Sequence, residues 1–309
     1  MKGNTVLIIG GGGFLGTNLT TRLRESGISV INLSRSWLFK SDDPGVRYVF
    51  ADTFNREQIE DLVSQSSCVF HMAHGSAPST SLENMEEDLS ASMRLTFALI
   101  TACAQYGSRL IYLSSGGTIY GPDVMVPTIE SAPTHPISPY GAAKLTAEHY
   151  LHIGELHHGL DYRVLRISNP YGPWQFGLHR QGVIGTWMRK ILRNETIEIW
   201  GDGSVVRDYV YVIDVIDAML ATIQHRGNVK RFNIGSGQGH SLKELIAYLR
   251  TTIGREFQVN YRPSTPVHVP RSILNPSLAR DELGWAPRVE LPMGLDLSWQ
   301  WMQSAAESD

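Results

Sequence analysis

Hydrophobic positions along the first half of the chain follow two alternating rhythms. Short β-branched runs alternate with longer stretches whose apolar residues recur at helical spacing, the pattern of a parallel sheet covered by helices. Thr5–Ile9 predicts a first strand and Phe14–Ser26 a helix stopped at Gly27. Strands follow at Ser29–Leu33, Val46–Ala51 and Ser67–Met72. A long helix is predicted from about Met85 to Tyr106, and a fifth strand at Arg109–Ser114. Pro139–His158 predicts a second long helix, and Tyr162–Ile167 the sixth strand. Six strands before residue 170 are enough for a complete doubly wound sheet.

The punctuation changes after Ser168. Asn169–Pro173 is a turn-rich junction, followed by a helix near Val183–Arg193 and the segment Ile197–Gly203. Val210–Val212 and Arg231–Ile234 predict short strands separated by a helix over Ile213–His225. Ser241 and Glu244 have capping-box spacing and open a helix to about Ile253. Asn275-Pro276 places a cap and an N1 proline before a last short helix ending at Gly284. No repeat, low-complexity tract or linker interrupts the chain. The expected organisation is an α/β fold: a dinucleotide-binding domain over residues 1–168, with a returning segment at about 210–236. A smaller C-terminal substrate-binding lobe takes 169–209 and 237–309.

Charge narrows the partners. Lysine and arginine number 27 against 30 acidic residues, a formal net charge of −3, which gives no reason to expect nucleic acid or a membrane surface. No apolar run is long enough to span a bilayer, and the N-terminus lacks the apolar core of a signal peptide. Cys68 and Cys103 lie far apart without metal-ligand spacing, as expected of two reduced thiols in a cytoplasmic protein. No metal site is expected.

The first chemical motif is Gly10-x-x-Gly13-x-x-Gly16, between the first strand and the first helix. Glycine allows the tight turn, the close approach of backbone amides to a pyrophosphate and the packing of helix on strand. Phe14 and Leu15 open the helix, whose N-terminus then faces the phosphates. A glycine triplet can be no more than a turn, but strand before and helix after are the context of a Rossmann dinucleotide site. At the end of the second strand an acid would hold the ribose 2′-hydroxyl of NAD. The chain has Ser34-Arg35-Ser36 instead, a set that suits a 2′-phosphate, so the reading leans to NADP(H) over NAD(H). A solvated Arg35 stacking on adenine is the alternative. Asp52 and Thr53, after the third strand, are placed to meet the adenine edge or simply to turn the chain.

The second motif is Tyr140-Gly141-Ala142-Ala143-Lys144, which puts a phenol and an ammonium on one helix face. A tyrosine acting as base near neutrality must fall from its ordinary pKa of about 10, and a drop of ~3 units is ~4 kcal/mol. That demands a fixed cation, for which Lys144 is placed, together with the positive nicotinamide.

These motifs, with Leu113–Gly121, Arg166-x-x-Asn169-Pro170-Tyr171-Gly172-Pro173, Ile199–Gly203 and Arg207–Val212, resemble the extended short-chain dehydrogenase/reductases. Within them the chain is similar to nucleotide-sugar epimerases and dehydratases of the UDP-glucose 4-epimerase type. The resemblance implies that Asn169 bonds the nucleotide-sugar diphosphate or its ribose, that Trp200 stacks beside the base and that Arg207 pairs with the diphosphate. Val183, Arg262 and Arg271 are further substrate-side candidates. Each also has a structural role open to it: Asn169 as a turn cap, Trp200 as lobe core, Arg207 as partner of Asp208. Ala73, His74 and Ser114 fall where the family passes its backbone along the cofactor, with His74 outside the chemistry.

Departures from the family pattern narrow the reaction. Gly116 stands where relatives carry the hydroxyl that bonds the reacting sugar oxygen; Thr118 and Ser115 are the substitutes. No carboxylate stands at Gly117 or Thr118, so the acid–base pair that dehydration needs is missing. Expected chemistry is therefore hydride transfer at one carbon. A C4 epimerase of a nucleotide-activated hexose is the first reading, an NADPH-dependent reductase of a keto-sugar nucleotide the second, and a non-catalytic dinucleotide sensor the third. The two long helices are expected to form a homodimer through a four-helix bundle, as in the family.

Overall fold

The computed structural model describes residues 4–51, 55–73, 85–176, 182–263 and 269–307. In chain order it begins with β1 (Thr5–Ile9), α1 (Phe14–Glu25), β2 (Ser29–Ser34), β3 (Val46–Phe50), α2 (Arg56–Ser64) and β4 (Cys68–His71). The two long helices are α3 (Met85–Tyr106) and α4 (Pro139–His158), with β5 (Arg109–Ser115) between them and β6 (Tyr162–Ile167) after. Then come β7 (Asn169–Tyr171), α5 (Val183–Leu192), β8 (Ile197–Trp200), β9 (Val206–Arg207), β10 (Tyr209–Tyr211), α6 (Val212–Gln224) and β11 (Arg231–Ile234). The chain ends with β12 (His240–Ser241), α7 (Leu242–Ile253), β13 (Val259–Arg262), β14 (Arg271–Ser272), α8 (Ser277–Leu283) and α9 (Leu291–Glu307).

Two compact units result. The first comprises Met1–Ser115, Pro136–Arg166 and Met219–Phe232, the second Gly116–His135, Ile167–Ala218 and Asn233–Asp309. The segment after β5 thus packs with the second unit, and the stretch that returns to the first is Met219–Phe232.

A seven-stranded sheet of order β11-β6-β5-β4-β1-β2-β3 forms the frame of the first unit. β1 pairs parallel with both β2 and β4, so Ile9 lies between Leu33 and His71. The chain winds one way from β1 to β3 and the other way from β4 to β6, which makes the carboxyl ends of β1 and β4 the switch point where such sheets bind ligands. Strands buried on both faces read as continuous apolar runs, as β1 does; β4 and β6 are also buried along their length but carry His71 and the arginines Arg163 and Arg166. Leu7, Val69, Leu99, Leu110 and Leu151 meet in the core between sheet and helices.

Smaller pairings build the second unit: β10 with β7, β13 with β8, and β9 between β12 and β14. Its core gathers Ile184, Trp187, Tyr209, Leu245 and Leu295. Several features differ from the sequence reading, which predicts neither α2 nor the short strands β9, β12, β13 and β14. The junction after Ser168 contains a strand, β7, because Asn169 to Tyr171 finds a parallel partner in β10. The last helix is α9, not α8: Gly294 interrupts its helical pattern, yet glycine is required there because a Cβ would collide with the Tyr171 hydroxyl. At α8 the N-cap is Pro276 itself, with Asn275 Oδ1 accepting from the Ser277 N–H at 2.9 Å. The Ser241–Glu244 capping box forms as its spacing predicts.

Candidate active site

Local chemistry explains the turn after β1. Gly10 has φ +84°, and a Cβ there would meet the Ala73 backbone nitrogen at 2.7 Å. Ala73 belongs to the chain leaving β4 and donates to the Ile9 carbonyl at 3.0 Å, so this close approach is set by the sheet itself. Gly16 lies against the Gly11 backbone, which lets α1 start close to the turn. Gly13 differs from both. It is the N-cap of α1, no side chain caps that end, and nothing lies within 4 Å of where its Cβ would be. The first-turn amides of α1 at Phe14 and Leu15 therefore have no intrahelical acceptors and the first turn carries no acid, the arrangement that receives an anionic phosphate.

Two more glycines and one asparagine contribute to the turn. A Cβ on Gly11 would strike Asn32, and one on Gly12 would strike the Ser36 carbonyl and come within 2.6 Å of Ser34 Oγ. Asn32 is 1% exposed; its Nδ2 donates to the Gly11 carbonyl and to Thr20 Oγ1, both at 3.0 Å, and its Oδ1 accepts from Trp37 Nε1 at 2.9 Å. The signal in sequence was a lone amide inside the apolar run of β2. The chain after β2 is thereby folded onto the turn, with Leu38 N–H donating to the Gly12 carbonyl at 2.9 Å. Arg35 and Ser36 in that segment are exposed and Ser34 is half-buried. Asp52, Thr53 and His74 lie outside the described residues.

Tyr140 and Lys144 occupy the first two turns of α4, which starts with Ser138 Oγ accepting from the Gly141 N–H and Pro139 in the first turn. Lys144 is 3% exposed. Its ammonium donates to the Leu113 carbonyl at 2.7 Å, and lies 4.8 Å from the Tyr112 ring centre and 5.7 Å from that of Tyr140. Burial pulls the ammonium down to about 7, opposed by the Glu148 carboxylate, and pushes the Tyr140 phenol up to about 12. The protein's own groups thus place a cation beside the phenol without themselves supplying the fall in pKa that the sequence argument requires.

Of the two hydroxyls offered for the missing third group, Thr118 carries the sharper signal. Its Oγ1 is buried with no hydrogen-bond partner among the described residues, which is costly unless a ligand satisfies it. Ser115 ends β5 and is half-buried. Ser114, in contrast, is already committed: its Oγ donates to Glu148 Oε1 at 2.5 Å.

The substrate-side candidates separate into groups in the second unit. Asn169 Nδ2 donates to the Asp208 carbonyl at 3.0 Å. Arg207 follows on β9, where β14 brings Arg271 opposite Val206. Asp208 is not the partner of Arg207. Its buried carboxylate accepts from the N–H groups of Ser236, Gly237 and Leu274 and from Ser236 Oγ. Arg207 Nη1 instead donates to the carbonyls of Val206 and Val269, both at 2.8 Å, and no carboxylate pairs with it among the described residues. Trp200 is 54% exposed, so it is not lobe core. With Asp202, Lys243, Tyr261 and Arg262 it lines an open hollow of about 840 Å³. Arg262 there is engaged by Glu198 Oε1 at 2.7 Å. Arg271 is exposed, and Val183 is the first residue of α5. Among the described residues no group of acidic, histidine or cysteine side chains could hold a metal ion, and no helix is long and apolar enough to cross a membrane.

Comparison with known proteins places these features in context. A model described as the NAD dependent epimerase/dehydratase family matches residues 6–235. The UDP-glucose 4-epimerase of Mycolicibacterium smegmatis is 30% identical over 310 residues, covering 97% of this chain and 99% of that protein. Among solved structures, the UDP-glucose 4-epimerase of Thermotoga maritima with UDP-glucose superposes with a TM-score of 0.90 at 34% identity, covering 98% of this chain and 99% of that one. That of Thermus thermophilus, in complex with NAD, gives a TM-score of 0.88 at 30% identity, covering 97% and 99%.

Proposed function

The chain belongs to the NAD dependent epimerase/dehydratase family, and from that premise we propose that it inverts C4 of a UDP-hexose through a transient 4-keto sugar. The observation that carries this reading is the ammonium of Lys144, buried on α4 beside Tyr140 and held by one backbone carbonyl. A cation fixed there stabilises a phenolate, and a phenolate is the base that a sugar hydroxyl needs. A dinucleotide bound at the glycine turn would supply the hydride acceptor and donor, and its positive ring would favour ionisation of the phenol. Tyr140 Oη takes the 4-hydroxyl proton and later gives it back. Thr118 is the candidate for the hydroxyl missing at Gly116, its buried Oγ1 having no partner among the described residues. Carboxylates remain absent at Gly117 and Thr118, so the residues provide no route to dehydration.

Gly10, Gly13 and Gly16, with the amides of Phe14 and Leu15, hold the pyrophosphate, and Ala73 and Ser114 flank the cofactor. Ser34, Arg35 and Ser36 suit a 2′-phosphate, which supports NADP(H) over NAD(H); the Thermus thermophilus relative is solved with NAD. In the second unit, Arg207 meets the diphosphate with Asn169 beside it, and Trp200 stacks on the base. Val183, Arg262 and Arg271 stand as outer contacts. The unbridged, buried thiols of Cys68 and Cys103 support a cytoplasmic setting. Phe97 on α3 and Tyr150 on α4 stack edge-on at 4.7 Å and, with Ile153, remain exposed; this apolar strip supports a homodimer through α3 and α4.

The deciding experiment is to incubate the purified protein with UDP-glucose and no added dinucleotide, then identify products and bound cofactor by mass spectrometry. Formation of UDP-galactose, with dinucleotide retained through turnover, is the expected result. Absence of any C4 inversion, with steady NADPH consumption on a 4-keto-sugar nucleotide, would replace the epimerase with a reductase.

A further inference from the structure

Tyr140 and Lys144 continue along one face of α4 to Glu148, four residues further on. Glu148 is 2% exposed and unusually well tied down. Arg166 of β6 grips it through Nε and Nη2, the shortest bond 2.7 Å to Oε2. Ser114 of β5 donates to Oε1, and Arg231 of β11 approaches Oε2 at 3.7 Å with its side chain 37% exposed. Ser114 is the neighbour of Leu113, whose carbonyl receives the Lys144 ammonium. One carboxylate thus fastens α4 to the same strand that fixes the ammonium.

We propose that Glu148 is the positioning residue of this site, keeping the Lys144 ammonium charged and locking α4 in register with β5, so that it sets the alkaline limit of the reaction. A buried arginine–carboxylate pair alone is weak evidence of function, because such pairs often only satisfy one another. Three observations go further. Glu148 lies one helical turn beyond Lys144 on the same face. Its third partner, Ser114, is adjacent to the acceptor of that ammonium. And among the described residues Glu148 is the charged group that opposes the burial that neutralises Lys144. The other titratable or charged groups around it are Tyr140 on α4, Tyr112 on β5 with His71 of β4 stacked on it at 5.2 Å, and Arg166 and Arg231 beyond Glu148.

The sign follows from the proton count. The working state holds a phenolate and an ammonium, so turnover declines with rising pH when the ammonium loses its proton. Neutralising Glu148 removes the charge that retains that proton, and the decline moves to lower pH. Removing Arg231 strengthens the Glu148 field and moves it to higher pH.

The proposal rests on the epimerase reading, so the test needs a readout independent of turnover. Lysine labelled with ¹³C at Cε reports the Lys144 titration by NMR in the full-length protein, alongside the pH profile of kcat. For Glu148→Gln the expected result is a downward shift of about one pH unit in both the NMR midpoint and the descending limb. For Arg231→Gln, whose site is partly solvent-screened, it is an upward shift of about half a unit. A folded Glu148→Gln with both midpoints unmoved, or with the NMR midpoint moved and the kinetic limb not, overturns the proposal. Should Glu148→Gln fail to fold because Arg166 loses its partner, Arg231→Gln decides alone: an upward shift supports the proposal and no shift overturns it. If the unmodified protein turns over no UDP-hexose, the functional reading fails, while the NMR midpoints still decide whether Glu148 governs the ammonium.

Discussion

The two units handle charge in opposite ways. Around α4 in the first unit the ionisable groups are sunk among strands: Lys144 is 3% exposed and Glu148 2%. Around β8 in the second, Trp200 is 54% exposed, and Arg262 and Glu198 form an exposed pair. Burial shifts ionisation, and acid–base chemistry needs shifted ionisation. Recognition of a ligand that enters and leaves needs side chains that can be reached. On the proposed function, the first unit changes protonation states and the second holds the nucleotide sugar by its surface. Asp208 and Arg207 are the exceptions in the second unit: the carboxylate is fully buried among backbone N–H groups, and the guanidinium is desolvated and, among the described residues, received by carbonyls.

The sharpest way to break this comparison is at Tyr140. Tyr140→Phe removes one oxygen and is expected to cut kcat for UDP-hexose interconversion about 10³-fold, within the usual range for a positioned acid–base group. The circular dichroism spectrum should not change. Activity within tenfold of the original would move the chemistry away from α4. A smaller effect is expected at the arginines, and it should separate them. Arg207→Gln loses a charge-assisted bond worth roughly 1.5–3 kcal/mol, or about 10–100-fold in KM for the nucleotide sugar. Arg262→Gln, which breaks only an exposed pair, should change KM less than about threefold. Equal effects at both positions would show that depth in the second unit does not matter. A smaller effect than at Arg207 is expected at Trp200→Ala, where loss of stacking on the base raises KM about fivefold. Thermal stability should stay close to the original because the indole is exposed. A large fall in melting point with unchanged KM would return Trp200 to a structural role.

Much of the first unit can be read locally. The strand–glycine–helix order from Thr5 to Glu25 is written in neighbouring residues, and so are the Tyr140/Lys144 spacing and the Ser241–Glu244 cap. Other features depend on residues far along the chain. Two-residue strands such as β9 and β14 exist only because they find partners far along the chain: β9 lies between β12 and β14, the latter more than sixty positions away. The start of α9 looks broken by Gly294 until Tyr171 is seen pressing on it. Asn32 looks like an interruption of β2 until it bonds the Gly11 carbonyl and Trp37. Arg262 and Arg207 both look like anion ligands, and only Glu198 beside one and its absence from the other tell them apart.

What the order of residues determined by itself was the run of strands and helices in the first unit, the glycine turn after β1 and the Tyr140/Lys144 spacing, because each depends on spacings within one turn of helix or one strand. What only the tertiary structure decided was the state of those groups: that the ammonium is drawn towards neutrality, that Glu148 opposes this and that the Thr118 hydroxyl has no protein partner among the described residues. Desolvation and hydrogen-bond satisfaction depend on everything packed around an atom, and its neighbours in space come from strands that are distant in the chain.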